Sequence, residues 1–537
     1  MPGSLQPDET VGNKQTRMSD HDGTRERVAI LLGWCAIVLL VALRHEMWRD
    51  EVRALSFAMD ARSLADLAAL LKNEGHPMLW HTLLYAGYGL TGAKWILPVA
   101  SALLCAGAVV IFVFNAPFPN WIKALFVFGG LPSYEYSVMA RNYGISMLLM
   151  FLFAWAYPKR HDRPLWLGAL LALLANTNIH SLLLAGCLLA FWLWDELVRA
   201  PSAPLRCRVA PLSAAVALVG VATVFSLWTM WPTDQLTASD VSAYTVANVA
   251  KALGKTAVNP AGAFREIAPG DAGALTLVAS TLLVASTLGL VIEPIALVTG
   301  WAGLCALSVL FQVVYKGNYR HQGLFVVFLL TLYWIVLARA GKVDSQRLRG
   351  KIARAGLYVG LPMILSILVV TGAKKIYVDV TRPLSASQAF GAFLRSHPQY
   401  AHAVLIAEPD FYVESVRYYV DNPIFILREQ RFGDTIRFVR GAQLDLTLAE
   451  LLRGAWDVHL RTQRPVLIVL GHLDELDPDA AQTKERQTKS YLFERTFSWS
   501  ADEVADLRAC TKLLQTFDDR VAEDERYRVY ELLSPPR

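Results

Sequence analysis

Long apolar runs recur through the first two thirds of this 537-residue chain and constrain its fold more than any other feature. A helix needs roughly 17 to 25 mainly apolar residues to cross a bilayer, and it satisfies its backbone hydrogen bonds internally. Hydrophobic residues make up 54% of the chain, above the usual range of soluble domains. We therefore predict a polytopic α-helical membrane protein with about eleven transmembrane helices. The predicted spans are approximately Val28 to Leu43, Trp95 to Phe114, Trp121 to Met139, Gly144 to Tyr157, Leu165 to Asn176, His180 to Trp194, Val209 to Trp231, Ala272 to Ile292, Pro294 to Val314, Gln322 to Leu337 and Gly356 to Thr371.

Charged residues are concentrated in the last third of the chain, where nearly half of the Asp, Glu, Lys and Arg side chains lie. Short β-rich runs at 404–407, 423–427, 465–471 and 527–533 alternate there with a helical pattern at 446–460, which predicts a soluble α/β domain. The domain contains neither a phosphate-binding glycine loop nor a nucleophile elbow. The predicted organisation is a disordered cytoplasmic N-terminus at 1–27, a transmembrane domain at 28–372 and a C-terminal α/β domain at 373–537.

The orientation in the membrane follows from the basic loops. The short apolar run from Pro77 to Leu90 is the ambiguous one. If it does not cross, the Lys and Arg clusters at 159–163, 199–208 and 339–354 share the side of the basic N-terminus, which is the positive-inside pattern. We therefore predict that this run is an interfacial or re-entrant segment and that the N-terminus is cytoplasmic. The outer face then carries 45–94, the turn at Arg141, 232–271, 315–321 and the C-terminal domain.

The formal net charge of +5 is small and is explained by these cytoplasmic loops, so we expect no nucleic-acid partner. The six cysteines are scattered without paired spacing, which argues against a disulfide framework or a structural zinc site.

Two adjacent carboxylates, Asp50 and Glu51, directly follow the first predicted span. A structural alternative is that Asp50 caps a helix beginning at Glu51, with neighbouring arginines as solvated partners. The same outer segment ends in the motif His76-Pro77-Met78-Leu79-Trp80. The predicted outer segment resembles that of the GT-C superfamily of membrane glycosyltransferases, because it contains an acidic pair, then an amphipathic loop and then a His-Pro motif. The closest likeness is to its protein O-mannosyltransferase and aminoarabinose-transferase-like branch, family 39-like, although Met78 replaces the second proline of the family motif.

This resemblance, which covers roughly residues 28–372, implies transfer of a sugar from a polyprenyl-phosphate donor to an acceptor hydroxyl at the outer face of a bacterial-type inner membrane, with inversion at the anomeric carbon. Such a reaction needs a base for the acceptor proton and cations for the leaving phosphate. Asp50 is the candidate base, with Glu51 second. The candidate phosphate-binding residues are His76, Arg141, Lys316, Arg320 and His321. The supporting residues are Glu135, Tyr143 and Trp80.

Several of these residues also have structural interpretations. Arg141 is equally typical of an arginine that anchors a helix end at the membrane surface. Lys316, Arg320 and His321 fit an interfacial belt, although an outer-face basic cluster favours an anionic ligand. Glu135 lies in an apolar run, and we expect it to pair with Arg141. The alternative, which the resemblance implies, is that Glu135 is the second acidic position that many members of the superfamily carry on an outer loop. His180 is expected to be a satisfied polar helix end.

No cofactor is required by these residues. Some superfamily members hold a divalent metal with acidic loop residues, but here cations outnumber clustered carboxylates, which favours metal-free chemistry while a divalent metal stays open. The acceptor is a lipid, a glycan or a protein, and the C-terminal domain is expected to recognise it or a partner protein. Two alternatives remain: a transporter or flippase of lipid-linked saccharides, and an oligosaccharide polymerase or ligase. No internal repeat of the kind found in transporters is visible in the sequence.

Overall fold

The structure is a computed structural model that describes residues 9–72, 74–199, 205–231, 245–270, 273–340, 347–437, 441–471, 484–489, 494–518, 521 and 525–536. Residues 232–244 and 271 of the predicted outer segment 232–271 therefore lie outside the described residues. The helices are α1 Glu9–Ala42, α2 Arg49–Asp60, α3 Leu64–Leu70, α4 Leu79–Thr91, α5 Ile96–Asn115, α6 Asn120–Val127, α7 Tyr143–Ala156, α8 Pro164–Ala175, α9 Ile179–Val198, α10 Leu205–Met230, α11 Val246–Val258, α12 Ala274–Thr287, α13 Pro294–Val309, α14 Tyr319–Ala340, α15 Leu348–Ala355, α16 Leu361–Thr381, α17 Ser387–Ser396, α18 Leu448–Thr462 and α19 Ala501–Cys510.

Each predicted span coincides with a helix or helical segment, but the spans differ in length. Within the described residues, seven helical segments are long and apolar enough to cross a membrane: Ile96–Asn115, Ile179–Val198, Val209–Met230, Ala274–Ile292, Pro294–Val314, Tyr319–Arg339 and Leu348–Thr381. The multi-pass helical architecture is thus confirmed, whereas the count of eleven stays a prediction. The Pro77 to Leu90 run forms α4, a helix of 13 residues, which is shorter than a typical span.

The predicted span from Trp121 to Met139 is interrupted. Helix α6 ends at Val127, and a π-helical turn, Leu131–Glu135, follows with Pro132 in its first turn. Gly130 lies in this break, where a Cβ atom would stand 2.5 Å from the Cα of Gly372 in α16. Two glycines therefore allow the backbones to cross closely, and the crossing fixes the C-terminal half of α16 beside the turn that leads to Glu135.

Both predicted domain boundaries differ from the helix ends. Helix α1 begins at Glu9, inside the N-terminal segment for which the sequence predicts disorder. Helix α16 continues to Thr381, past the predicted boundary at residue 372. The polar residues at the end of α16 extend the helix beyond the apolar run, because a helix that emerges from lipid can continue with its backbone bonds intact.

The C-terminal part is a strand-containing α/β domain, as predicted. Its strands are β1 Val404–Glu408, β2 Phe425–Ile426, β3 Arg431–Phe432, β4 Asp445–Thr447, β5 Val466–Leu470, β6 Lys484–Lys489, β7 Glu494–Trp499, β8 Thr511–Phe517 and β9 Tyr527–Leu532. The main sheet has the order β1-β5-β9-β8, with β1 parallel to β5 and the other neighbours antiparallel. All residues of β1 and β5 are buried, which explains their continuous apolar sequences.

Candidate active site

Helix α2 carries both predicted carboxylates in its first turn. The helix begins at Arg49, with Trp48 at the N-cap position, so the interpretation of Asp50 as the cap of a helix starting at Glu51 is wrong. Carboxylates near a helix N-terminus are favoured by the free N–H groups and the helix dipole. Neighbouring positions on a helix point in different directions, and the two carboxylates accordingly have different surroundings.

Glu51 faces inward and is fully buried. Its carboxylate accepts hydrogen bonds from the main-chain N–H groups of Ala140 (2.6 Å) and Trp48 (3.1 Å) and from Nε2 of His45 (3.1 Å). The other ring nitrogen of His45 lies 3.0 Å from a carboxylate oxygen of Asp379 at the end of α16. Burial lowers the pKa of His45, but the two carboxylates outweigh it and raise the pKa to about 10. Glu51 thus holds α2 to two other segments of the protein.

Asp50 points in a different direction and is partly open to solvent, with its side chain 36% exposed. Its carboxylate lies 2.7 Å from Nη1 of Arg141, which also donates to the main-chain oxygen of Asp50 at 3.0 Å. Burial raises the pKa of Asp50, but the charges of Arg141, Arg320 and Arg49 outweigh it and hold the pKa well below its ordinary value. The accessible carboxylate is therefore ionised and paired with Arg141.

Three histidines gather near this pair. The rings of His180 and His321 stack with centroids 4.8 Å apart and an interplanar angle of 11°. The hydroxyl of Tyr315 is hydrogen-bonded to Nε2 of His180, and Tyr143 meets the edge of His321 at 5.4 Å. Nδ1 of His321 accepts the main-chain N–H of Asn318 at 2.9 Å, so the proton of this ring resides on Nε2. Within the described residues, Nδ1 of buried His180 has no hydrogen-bond partner.

The third histidine, His76, is half-buried in the loop before α4. Burial lowers its pKa to about 4, the charges of Arg141 and Arg53 act in the same direction, and Asp50 opposes them. His76 is therefore neutral at physiological pH and offers one N–H donor close to the Asp50–Arg141 pair. The prediction for His180 was incomplete, because the ring belongs to this cluster rather than to a simple helix end. No local sequence signal could show a stack formed by residues from α9 and α14.

Glu135 does not pair with Arg141, which corrects the sequence prediction. It is buried, lies 3.1 Å from Nζ of Lys375 and lies 3.9 Å from Nη1 of Arg320. The guanidinium of Arg320 also lies over the ring of Trp48, 5.6 Å from its centroid. These residues line a cavity of about 220 Å³. Arg320 thus lines this cavity, and its positive charge also helps to lower the pKa of Asp50.

Two further residues of the predicted site, Lys316 and Trp80, lie apart from these contacts. Lys316 is exposed on the loop before α14. Trp80 is buried in α4 within the apolar core. Within the described part of the chain, no group of three or more His, Cys, Asp or Glu residues is arranged to hold a metal ion.

The comparisons with known proteins give structural matches alone. No family model matches the chain, and no curated protein matches it in sequence. The structure is similar to that of ArnT from Cupriavidus metallidurans in the apo state, with 12% identity, a TM-score of 0.45 and coverage of 94% of this chain and 97% of ArnT. It is also similar to the arabinofuranosyltransferase AftD from Mycobacteria, with 12% identity, a TM-score of 0.35 and coverage of 95% of this chain and 40% of AftD. At these values of identity and TM-score the two matches carry no argument about the class of this protein or its substrate.

Proposed function

We propose that the protein is a membrane glycosyltransferase that moves a sugar from a polyprenyl-phosphate donor to an acceptor hydroxyl, with inversion and with Asp50 as the base. The observation that carries the proposal is the partly exposed, ionised carboxylate of Asp50 paired with Arg141 beside neutral imidazoles. A base for the acceptor and a cation for the leaving phosphate are thus adjacent. Glu51, fully buried and hydrogen-bonded, positions α2.

The proposed step uses one base and no general acid. The acceptor oxygen attacks the anomeric carbon, and the bond between that carbon and the phosphate oxygen breaks with its electron pair on the phosphate. The acceptor proton passes to Asp50. The phosphate leaves as a stable anion, which Arg141 stabilises by charge-assisted hydrogen bonds together with N–H donors of His76 and His321. Arg320 and exposed Lys316 add further positive charge for the anionic donor.

The Arg141–Asp50 contact makes the basicity of Asp50 depend on whether the donor phosphate is bound. While no phosphate is bound, Arg141 neutralises the carboxylate and lowers its basicity. A bound phosphate draws on the same guanidinium, so the pKa of Asp50 rises when donor is present. The base is therefore strengthened only in the complex that can react, which disfavours the activation of water beforehand.

The proposed location is the outer face of a bacterial-type inner membrane, with a cytoplasmic N-terminus and a periplasmic C-terminal domain. Support comes from the positive-inside distribution of the basic loops. Attaching a thiol-reactive probe to cysteines introduced at exposed positions of the C-terminal domain in intact spheroplasts tests this assignment. Labelling without permeabilisation agrees with it, and labelling only after lysis contradicts it.

The activity is tested with purified protein in liposomes and a panel of radiolabelled polyprenyl-phosphate sugars. Consumption of one donor with formation of a glycosylated product supports the transferase. Movement of the labelled lipid across the bilayer without product supports the transporter alternative and contradicts the proposal. Extension of a lipid-linked oligosaccharide that survives Asp50→Asn supports the polymerase or ligase alternative, because that chemistry does not depend on this carboxylate.

A further inference from the structure

The segment that carries Asp50 is held from outside the transmembrane part. The main-chain N–H of Met47 donates to the hydroxyl of Tyr419 at 2.8 Å. Arg49 donates through its main-chain N–H (3.1 Å) and through Nη1 (3.2 Å) to the same carboxylate oxygen of Glu525. Both partners belong to the C-terminal domain. The residue directly before Asp50 is thus fixed in main chain and side chain by one distant carboxylate.

Arg53, one turn after Arg49, is anchored in the same way. Its guanidinium donates to Glu414 at 2.5 Å and to the main-chain oxygen of Ile436 at 2.7 Å, and both acceptors lie in the C-terminal domain. It also binds Glu74 with two short hydrogen bonds of 2.7 and 2.6 Å, which ties in the loop that carries His76. Asp50 therefore lies between two arginines that the C-terminal domain holds.

Glu525 is built into this contact rather than lying on a surface. Its side chain has no exposure, and its second oxygen accepts the hydroxyl of Ser415 at 2.8 Å. The guanidinium of Arg49 packs over the ring of Phe411, 5.1 Å from its centroid. Burial raises the pKa of Glu525 to about 8, against the lowering effect of Arg49. One carboxylate oxygen accepts both Arg49 hydrogen bonds, and a carbonyl oxygen of the protonated acid can accept them as well, so an uncharged acceptor of the same shape can keep the contact.

We propose that the C-terminal domain is part of the catalytic unit and sets the position of the Asp50 carboxylate, with Glu525 and Glu414 as positioning residues that act through Arg49 and Arg53. This inference rests on the proposed function. It gives the C-terminal domain a role in positioning the base, which differs from the role in acceptor recognition that the sequence suggested. Arg141 and His321 lie on other segments, whereas the loop of His76 is tied to Arg53 through Glu74. Loss of the Glu525 contact alone therefore moves the base relative to Arg141 and His321 and leaves the Arg53 contacts in place.

The test replaces Glu525 by methionine, which keeps the volume and removes the acceptor oxygens. We expect the kcat of sugar transfer to fall at least tenfold while the KM for the donor changes by less than twofold. Glu525→Gln, which keeps one acceptor oxygen, should restore most of the kcat. Hydrogen exchange of the amides of 49–60, measured by mass spectrometry on the full-length protein, should become faster in the methionine variant and not in the glutamine variant.

The matched control is Glu531→Met, which removes another carboxylate of the same domain, one that accepts the hydroxyl of Tyr400 at 2.9 Å and does not contact α2. It should leave kcat and the exchange of 49–60 unchanged. Equal loss of kcat in both variants, or unchanged exchange of 49–60 in Glu525→Met, overturns the positioning role. If the wild-type protein transfers no sugar, the proposed function fails, while the exchange measurement still decides whether Glu525 holds α2.

Discussion

Replacing Asp50 by asparagine should separate substrate binding from turnover. The substitution keeps the size of the side chain and removes the charge and the basicity. A general base contributes on the order of 10²–10⁴-fold to a rate, so sugar transfer should fall by at least a hundredfold. Arg141, whose Nη1 lies 2.7 Å from the carboxylate, loses its anionic partner and becomes available to the donor phosphate. The variant should therefore bind a phosphate ligand more tightly than the wild type.

The size of this gain follows from the exposure of the pair. Asp50 is 36% exposed and Arg141 is 13% exposed, so solvent screens the interaction in part. Ion pairs in such surroundings contribute about 1 kcal/mol or less, well below the cost of breaking a fully buried pair. Release of Arg141 should thus tighten phosphate binding by about fivefold, which corresponds to about 1 kcal/mol.

The assay is a binding titration of fluorescent polyprenyl phosphate against protein in nanodiscs, with transfer measured on the same preparations. Asp60→Asn is the matched control, because Asp60 ends the same helix and is exposed. It should change neither quantity. Unchanged or weaker binding by a folded Asp50→Asn protein would refute the sharing of Arg141 between carboxylate and phosphate. Retained transfer would remove Asp50 from the role of base.

Three further predictions concern stability, each measured by thermal unfolding of purified protein. The protonated form of His45 stabilises the fold fully below its ordinary pKa of 6.5, and this contribution is lost as the pH rises through about 10. The melting temperature of the wild type should therefore fall between pH 6.5 and about 10, and this fall should be smaller in His45→Gln. Arg53→Met removes the cation that pairs with buried Glu74 and Glu414 and should cost about 3 kcal/mol, whereas a change below 1 kcal/mol would contradict the geometry. Gly372→Ala places a Cβ atom 2.3 Å from the Cα of Gly130 and should cost about 1–3 kcal/mol, while Gly186→Ala, with open space around it, should cost little.

The fold was predictable from the sequence where the residues of a single segment are enough to determine its secondary structure. The apolar runs predicted the membrane helices, and the continuous apolar stretches at 404–407 and 465–471 predicted the two fully buried parallel strands β1 and β5. The interruption near Gly130 was not predicted, because hydropathy averages over a window and does not register a change from an α-helix to a π-helical turn. Helix ends such as Thr381 were missed for a related reason, since a helix continues beyond the point where its sequence stops being apolar.

The sequence by itself determined which residue types follow the first long apolar run: an Asp-Glu pair and then a His-Pro motif. Only the tertiary structure decided that Asp50 is accessible while Glu51 is buried, and that Glu135 binds Lys375 instead of Arg141. These outcomes depend on partners hundreds of residues away, such as Asp379 for His45 and Glu525 for Arg49. The local pattern of apolar and polar residues determines which face of a segment is apolar. The partner of a buried charge, however, depends on how the whole chain packs.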